Sequence, residues 1–447
     1  MSRVLIVCND VIGERMAGPA IRSWEIAKAL SHEHQVTLLA RNQPTVKAPD
    51  SRFVLAMRTP RVFARLVRDS EVVISQGSVM PIFYALWFNK CLVVDLYDPF
   101  PIADLEDSRF FPSKKRHRHH RLLNQNIAVQ LWGGDFFLCA SDTQRNFWIG
   151  MLQGAGRITP EVYDNDTTLR SLIEVVPFGI PVERPAHTRS VLKGVYPGIR
   201  AQDRVLLWGG GIWNWFDPVT LLQSMARLRD SRPEIKLLFM GVAHPNLMVD
   251  NLRMAEAAIS LSRELDLYDR TVFFHQEWVP YAERQNYLLE ADIGVSTNLD
   301  HLEAQLAFRT RLLDCIWAGL PIICTGGDTM AALVEKEGLG LTVPPNDVDG
   351  LTSAILRLFD DKDYYRTCKD NLTKVAERFH WDTVVEPLQR FCANPSQARD
   401  KTPALRRRAI LASISYYLSV LRFQVAEKGI GNTIQQIIGH SQRVARY

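Results

Sequence analysis

Short apolar, β-branched runs alternate with stretches of helical periodicity along most of the chain, and the alternation stops once and restarts. This pattern specifies parallel α/β architecture: strands buried on both faces must be apolar throughout, whereas crossover helices are apolar on one side. In the first half, strands are expected at 4–8, 36–40, 72–75, 91–95, 136–140 and 173–176. A helix from Pro19 turns Ile26, Ala29 and Leu30 inward. Pro177, Gly179, Pro181 and Pro185 then interrupt both periodicities, which puts a linker near 178–200. Strands resume at 205–208, 236–241, 272–275, 293–296, 322–325 and 341–343. Helices are expected near 218–229, 249–265, 281–290, 305–318, 328–337 and 347–360. The expected fold is therefore α/β, with two Rossmann-like domains (1–183 and 200–378) facing across a cleft and a C-terminal helical extension.

Length and composition narrow the function classes. A chain of 447 residues, 47% hydrophobic and 23% charged, has the balance of a soluble two-domain protein. No segment offers the roughly 20 apolar residues that span a bilayer, and the first apolar run reads as a strand, not a signal peptide. The seven cysteines are scattered, without CxxC or metal-ligand spacing, so a reducing, cytoplasmic compartment is expected. The net charge of +4 is uneven: from Lys401 onward eight basic residues face Glu427 alone, which leaves residues 1–400 at −3.

Ligands of open α/β sheets bind beyond the carboxyl ends of the strands, so the polar loops there are the candidate sites. Gly18 and Pro19 open a helix whose amides favour an anion, and Arg22 is expected on the acceptor side. Asp95, Tyr97 and Asp98 end a buried strand, a set suited to binding a hydroxyl or handling its proton. The turn Gly209-Gly210-Gly211 leads to Asn214 and allows close backbone approach to a phosphate. Glu277, Trp278 and Val279 offer backbone groups and an aromatic face to a nucleobase. In the segment 298–328, Glu303, Arg309 and Arg311 are expected at the reacting centre, the two guanidiniums bracketing a diphosphate, and Asp314 can accept hydrogen bonds from a ribose. On this reading Arg309→Ala or Asp314→Ala removes the stabilising effect of a bound donor and leaves the ligand-free chain folded.

These pieces resemble the GT-B fold glycosyltransferases of family 4. The resemblance rests on Val175-Val176-Pro177-Phe178-Gly179, on 287–296, on Asp314 to Pro321, and on Gly338 to Val343 followed by Pro345. Phe379-His380-Trp381 resembles the start of the terminal helix that crosses back to the first domain in that fold, here 379–400. The resemblance implies transfer from a nucleoside diphosphate sugar with retention of configuration, no cofactor and no obligatory metal. It implies that Asp314 stands where a glutamate binds the ribose, that 277–280 holds the base, and that Gly18 lines the phosphate side. The chain departs from the family at three places. Leu306 stands eight residues before Asp314 where a glutamate belongs. Trp213, Asn214 and Trp215 follow strand 205–208 in place of an arginine and a lysine. The histidine at the end of the fourth strand is replaced around Asp95 to Asp98. A divergent subgroup follows.

The expected partners are a nucleotide-sugar donor and a glycan or lipid-linked acceptor, in cell-surface polysaccharide or glycolipid synthesis, and not nucleic acid. Two basic segments suit the inner face of a membrane. One is Lys114 to Arg121. The other is the tail 401–447, where Ile410, Ile414, Tyr417, Leu418, Leu421 and Val425 share one helical face. The alternatives are another GT-B enzyme, such as a nucleotide-sugar epimerase or a sugar phosphorylase, or a catalytically silent protein that binds a sugar nucleotide.

Overall fold

The computed structural model describes residues 1–242 and 253–428. The chain forms two compact units. The first comprises Met1–Asn9, Ser23–Val176 and the chain from Pro387 onward; the second comprises Asp10–Arg22 and Pro177–Glu386.

The first unit is built on seven parallel strands: β1 (Arg3–Val7), β2 (Gln35–Ala40), β3 (Phe53–Met57), β4 (Val72–Ser75), β5 (Cys91–Asp95), β6 (Phe136–Cys139) and β7 (Ile173–Val175), in the order β3-β2-β1-β4-β5-β6-β7. The second has six: β8 (Arg204–Gly209), β9 (Ile235–Met240), β10 (Val272–His275), β11 (Ile293–Ser296), β12 (Ile322–Thr325) and β13 (Gly340–Val343), in the order β10-β9-β8-β11-β12-β13. Each sheet reverses its strand order once, between β1 and β4 and between β8 and β11. Those switch points open crevices at the carboxyl ends of the strands. Every residue of β4, β6, β9, β11 and β12 is buried, as helices on both faces require. In the second unit Phe239 stacks on Phe274 at 4.7 Å and Trp208 meets Phe216 edge-on at 5.6 Å.

The sequence pattern misses β3. It is a five-residue edge strand with only Phe53 buried and Val54 exposed, so it carries neither a continuous apolar run nor a full alternation. The start of the helix expected at 249–265 lies partly outside the described residues; the helix is observed over Arg253–Glu264. The expected continuous crossover 379–400 consists of a short 3₁₀ turn and two helices, Trp381–Val384 and Glu386–Ala393. Within the second unit Ile180 N–H donates to Phe379 O and Trp381 N–H to Ile180 O, which ties the linker to this segment. A Cβ on Gly179 would lie 2.7 Å from the Trp381 ring. Gly179→Ala is therefore expected to cost about 1–3 kcal/mol as an overpacked substitution, read as a lower midpoint in denaturant.

The tail forms one helix over Pro403–Lys428, docked within the first unit on helices Val79–Trp87 and Ser113–Gly133. Asp400 pairs with the buried Arg157, and Lys401 Nζ lies 2.6 Å from Asp135. Ala409 and Ser413 face inward, with Ile410 and Tyr416 packed on the core. Most of the apolar face expected from the sequence, including Ile414, Tyr417, Leu418 and Leu421, points outward. Residues 429–447 of the expected tail lie outside the described residues.

Candidate functional site

The sites expected in the second unit converge on the loops after β8, β10 and β11. Strand β8 ends in the glycine turn, where Gly210 takes φ +85°, a left-handed conformation that favours glycine. The turn runs into the stacked pair Trp213 and Trp215 and then Asp217, which caps helix Pro218–Leu228 by accepting from Thr220 N–H at 3.0 Å. Asp217 N–H donates to Thr297 O, binding this loop to the one after β11. Asn214, expected to touch the donor, is buried and accepts from Met254 N–H, so it holds the loop.

The helix expected over 305–318 is broken. A short turn spans Leu302–Leu306, the chain extends at Ala307 (ψ 154°), and a new helix covers Thr310–Ala318. The break brings Arg309 within reach of Glu303. Arg309 grips Glu303 with both ends of its guanidinium, Nη1 to Oε1 at 3.2 Å and Nη2 to Oε2 at 2.9 Å. Residues six apart in a continuous helix would be about 9 Å apart along its axis and could not pair. Arg309 Nε also stands 3.6 Å from Asp328 Oδ2, and Asp328 caps helix Thr329–Glu337 by accepting from Met330 and Ala331 N–H at 2.8 Å. All three side chains are buried. Burial raises the Asp328 pKa against the lowering effect of Arg309.

This corrects the expected arginine bracket. Arg309 and Glu303 are mutually committed inside the protein, and neither presents a free fork to a ligand. Arg311 is different. Its Nη2 donates to Gly211 O at 2.9 Å, and its guanidinium lies over the Phe216 ring at 4.0 Å and over Trp208 at 4.6 Å. Its Nη1 is buried without a hydrogen-bond partner among the described residues, and no carboxylate there forms an ion pair with it. Burial and the like charge of Arg309 depress its pKa to about 9. Arg311 is thus an uncompensated cation beneath the glycine turn. It also belongs to the first turn of a helix whose N-cap, Arg309, makes no side-chain cap, so that turn carries positive partial charge as well.

The loop after β10 completes this side. Trp278 donates from Nε1 to Met16 O at 3.0 Å and packs 3.2 Å from the position of a Cβ on Gly211. Glu277 pairs with Arg15, both exposed, while Val279 is buried. Gly18 has open space around its Cβ position. Asp314 is about a third exposed and accepts from Arg284 Nε at 3.0 Å; Arg284 is held between the rings of Tyr281 and Trp317. Arg284, Asp328 and His301, which caps Leu302–Leu306, were not singled out from the sequence. Only the spacing of Asp328 before an apolar helix signalled a cap.

Two expected acceptor residues are structural instead. Arg22 is fully buried, donates to Pro177 O at 3.0 Å and lies over Phe178. Asp95 is fully buried in the first unit and accepts from Gln76 Nε2 at 2.9 Å. Neither can reach an acceptor in this arrangement. Tyr97 and Asp98 remain half-exposed at the end of β5, with Tyr97 edge-on to Phe100. A cavity of ≈ 450 Å³ beyond β11–β13 is lined by Asp300, Asp328 and Glu335. Three carboxylates make it a poor receptor for a diphosphate.

Residues 203–361, which contain every element of this arrangement outside the Asp10–Arg22 segment, match the family described as Glycosyl transferases group 1. The matched stretch lies wholly within the second unit. A probable sucrose-phosphate synthase 2 of Oryza sativa subsp. japonica is 27% identical over 169 residues, 36% of this chain and 17% of that protein. The chain thus spans less than a fifth of the length of that curated relative. The solved structure of a UDP-forming α,α-trehalose-phosphate synthase from Burkholderia xenovorans aligns over 89% of this chain and 100% of its own, with TM-score 0.61 and 12% identity. HepE from Anabaena, solved in complex with UDP-glucose, aligns over 88% of this chain and 98% of its own, with TM-score 0.57 and 15% identity. These likenesses make the fold GT-B, and the low identities fit a divergent group 1 domain.

Proposed function

We propose that the chain is a glycosyltransferase that moves a sugar from a nucleoside diphosphate sugar to a hydroxyl of a glycan or lipid-linked acceptor, with retention of configuration. The observation that carries this reading is the uncompensated Arg311 guanidinium under the glycine turn Gly209–Gly211 and beside the uncapped start of helix Thr310–Ala318. As the sugar becomes oxocarbenium-like, negative charge grows on the departing diphosphate. A fixed cation and helix-start amides aimed there lower the barrier. Arg311 then takes the part of the missing arginine and lysine after β8, reaching the same turn from the neighbouring loop. Arg309, Glu303 and Asp328 hold that loop in shape. Trp278 lies beside the turn where a base can stack, and Asp314 offers a carboxylate to a ribose. The acceptor proton leaves late, to the departing phosphate.

The test is a thermal-shift screen against nucleotide sugars, beginning with UDP-sugars. One of them is expected to raise the melting temperature of the second unit. Asp314→Asn keeps the shape but loses a charge-assisted hydrogen bond, so it should weaken that ligand about tenfold. A panel that stabilises nothing, or an Asp314→Asn variant with full affinity, would count against the reading.

A further inference from the structure

We infer that the outward face of helix Pro403–Lys428, together with Met80 and Trp87 of its neighbour, is a docking surface for an anionic lipid bilayer. The helix is fastened by Arg157–Asp400, by Lys401–Asp135 and by Arg406, which donates to Leu86 O at 2.8 Å and Trp87 O at 3.3 Å. With its inner face docked, the opposite face leaves Leu411 (66% exposed), Ile414 (45%), Leu418 (54%) and Leu421 (44%) in solvent. Their spacing of three, four and three makes one continuous stripe. Trp87, 62% exposed, stands beside the start of the stripe and stacks on Phe83, and Met80 lies on the same helix. Soluble proteins do not leave such a run of large side chains in water without a partner.

Charge selects the partner. Arg407 and Arg422 are exposed at the two ends of the stripe, and no acidic residue occurs from 401 to 426. Helix Ser113–Gly133 runs antiparallel alongside: Arg408 lies 3.9 Å over Trp132, and Tyr416 lies beside Asn126. Equal rise along both helices brings Lys114, Arg118 and Arg121, all exposed, level with the last turns of the tail helix. A second copy of this face would set arginine against arginine. An anionic surface accepts the leucines among its acyl chains and the arginines among its headgroups. The geometry also has a direction. Asn126 donates to Gly77 O, just past the end of β4, so the basic end of the surface approaches the carboxyl edge of the sheet, the edge at which open α/β sheets bind ligands. A lipid-linked acceptor would reach the enzyme at that edge. The surface itself stands whether or not the donor reading does.

The test is flotation of the full chain with phosphatidylcholine vesicles, with and without phosphatidylglycerol. The wild type should float with the anionic vesicles and stay down with the neutral ones. Leu411→Glu/Leu418→Glu changes only exposed positions; it should lower the bound fraction about tenfold, while the circular dichroism and the nucleotide-sugar thermal shift stay at wild-type values. Arg407→Gln/Arg422→Gln should lower it severalfold and make the rest less salt-sensitive. Wild type that ignores anionic vesicles, or a glutamate double variant that floats at full strength, would overturn the proposal. So would a dimer in sedimentation that the glutamates dissolve without any vesicle binding, which would give the face to a second copy.

Discussion

Arg309→Ala is expected to destabilise the second unit by about 3–5 kcal/mol, because it removes one partner from a buried ionic cluster and leaves the others without a countercharge. Glu303 and Asp328 are 2% and 6% exposed, and Arg309 is the cation that lies between them. Burial already raises the Asp328 pKa with Arg309 present. Without it, the Asp328 carboxyl is pushed further up. A carboxylate whose folded pKa is raised makes the fold less stable above that pKa, and the loss disappears as pH falls toward the unfolded value. The deficit of the variant should therefore be largest at neutral pH and shrink in mild acid. In thermal melts it should appear as a drop of about 10 °C in the transition of the second unit. Arg309→Lys, which keeps charge but not the two-pronged grip, should fall between. A wild-type melting point for Arg309→Ala at neutral pH would show the cluster to be unimportant. This outcome replaces the expectation from sequence alone that the alanine variant stays stable and loses only its ligand.

Arg311→Met is expected to move stability and binding in opposite directions. Removing a half-buried cation whose Nη1 is buried and which has no carboxylate partner among the described residues, and filling its place between Trp208 and Phe216 with an apolar side chain of similar length, should stabilise the ligand-free unit by about 1–4 kcal/mol. The same change removes the cation proposed for the diphosphate, a loss of about 3 kcal/mol or roughly a hundredfold in affinity. A residue that only braced the loop would lower stability when replaced, as Arg309 should. The pair of variants separates brace from ligand: one arginine lowers the melting point when lost, the other raises it.

The two arginines also show what the sequence could and could not express. Strand and helix periods made both sheets legible, since strands such as β4, β9 and β12 are buried throughout and can be nothing but apolar. The edge strand β3 escaped because an edge is only half constrained. Charged residues at strand ends were visible as a group, but their partners were not. Arg309 and Arg311 differ in sequence by two positions and in fate by a bidentate grip on Glu303, a contact set by the break at Ala307 and not by any local propensity. Arg22 and Asp95 read as site residues for the same reason: a polar side chain in a strand-end loop gives no sign of whether it faces ligand or, as here, Pro177 O and Gln76. A helix stands over Pro403–Lys428 of the expected tail, but two of its faces compete for the core, and the smaller residues Ala409 and Ser413 took the inside.

The most direct test is titration calorimetry of wild type and Arg311→Met with the tightest of UDP, GDP, ADP and dTDP. The account predicts saturable binding to the wild type, weakened about a hundredfold in a variant that melts higher than its parent. Equal affinity in the two proteins would contradict it, because the diphosphate would then owe nothing to the Arg311 guanidinium proposed for it.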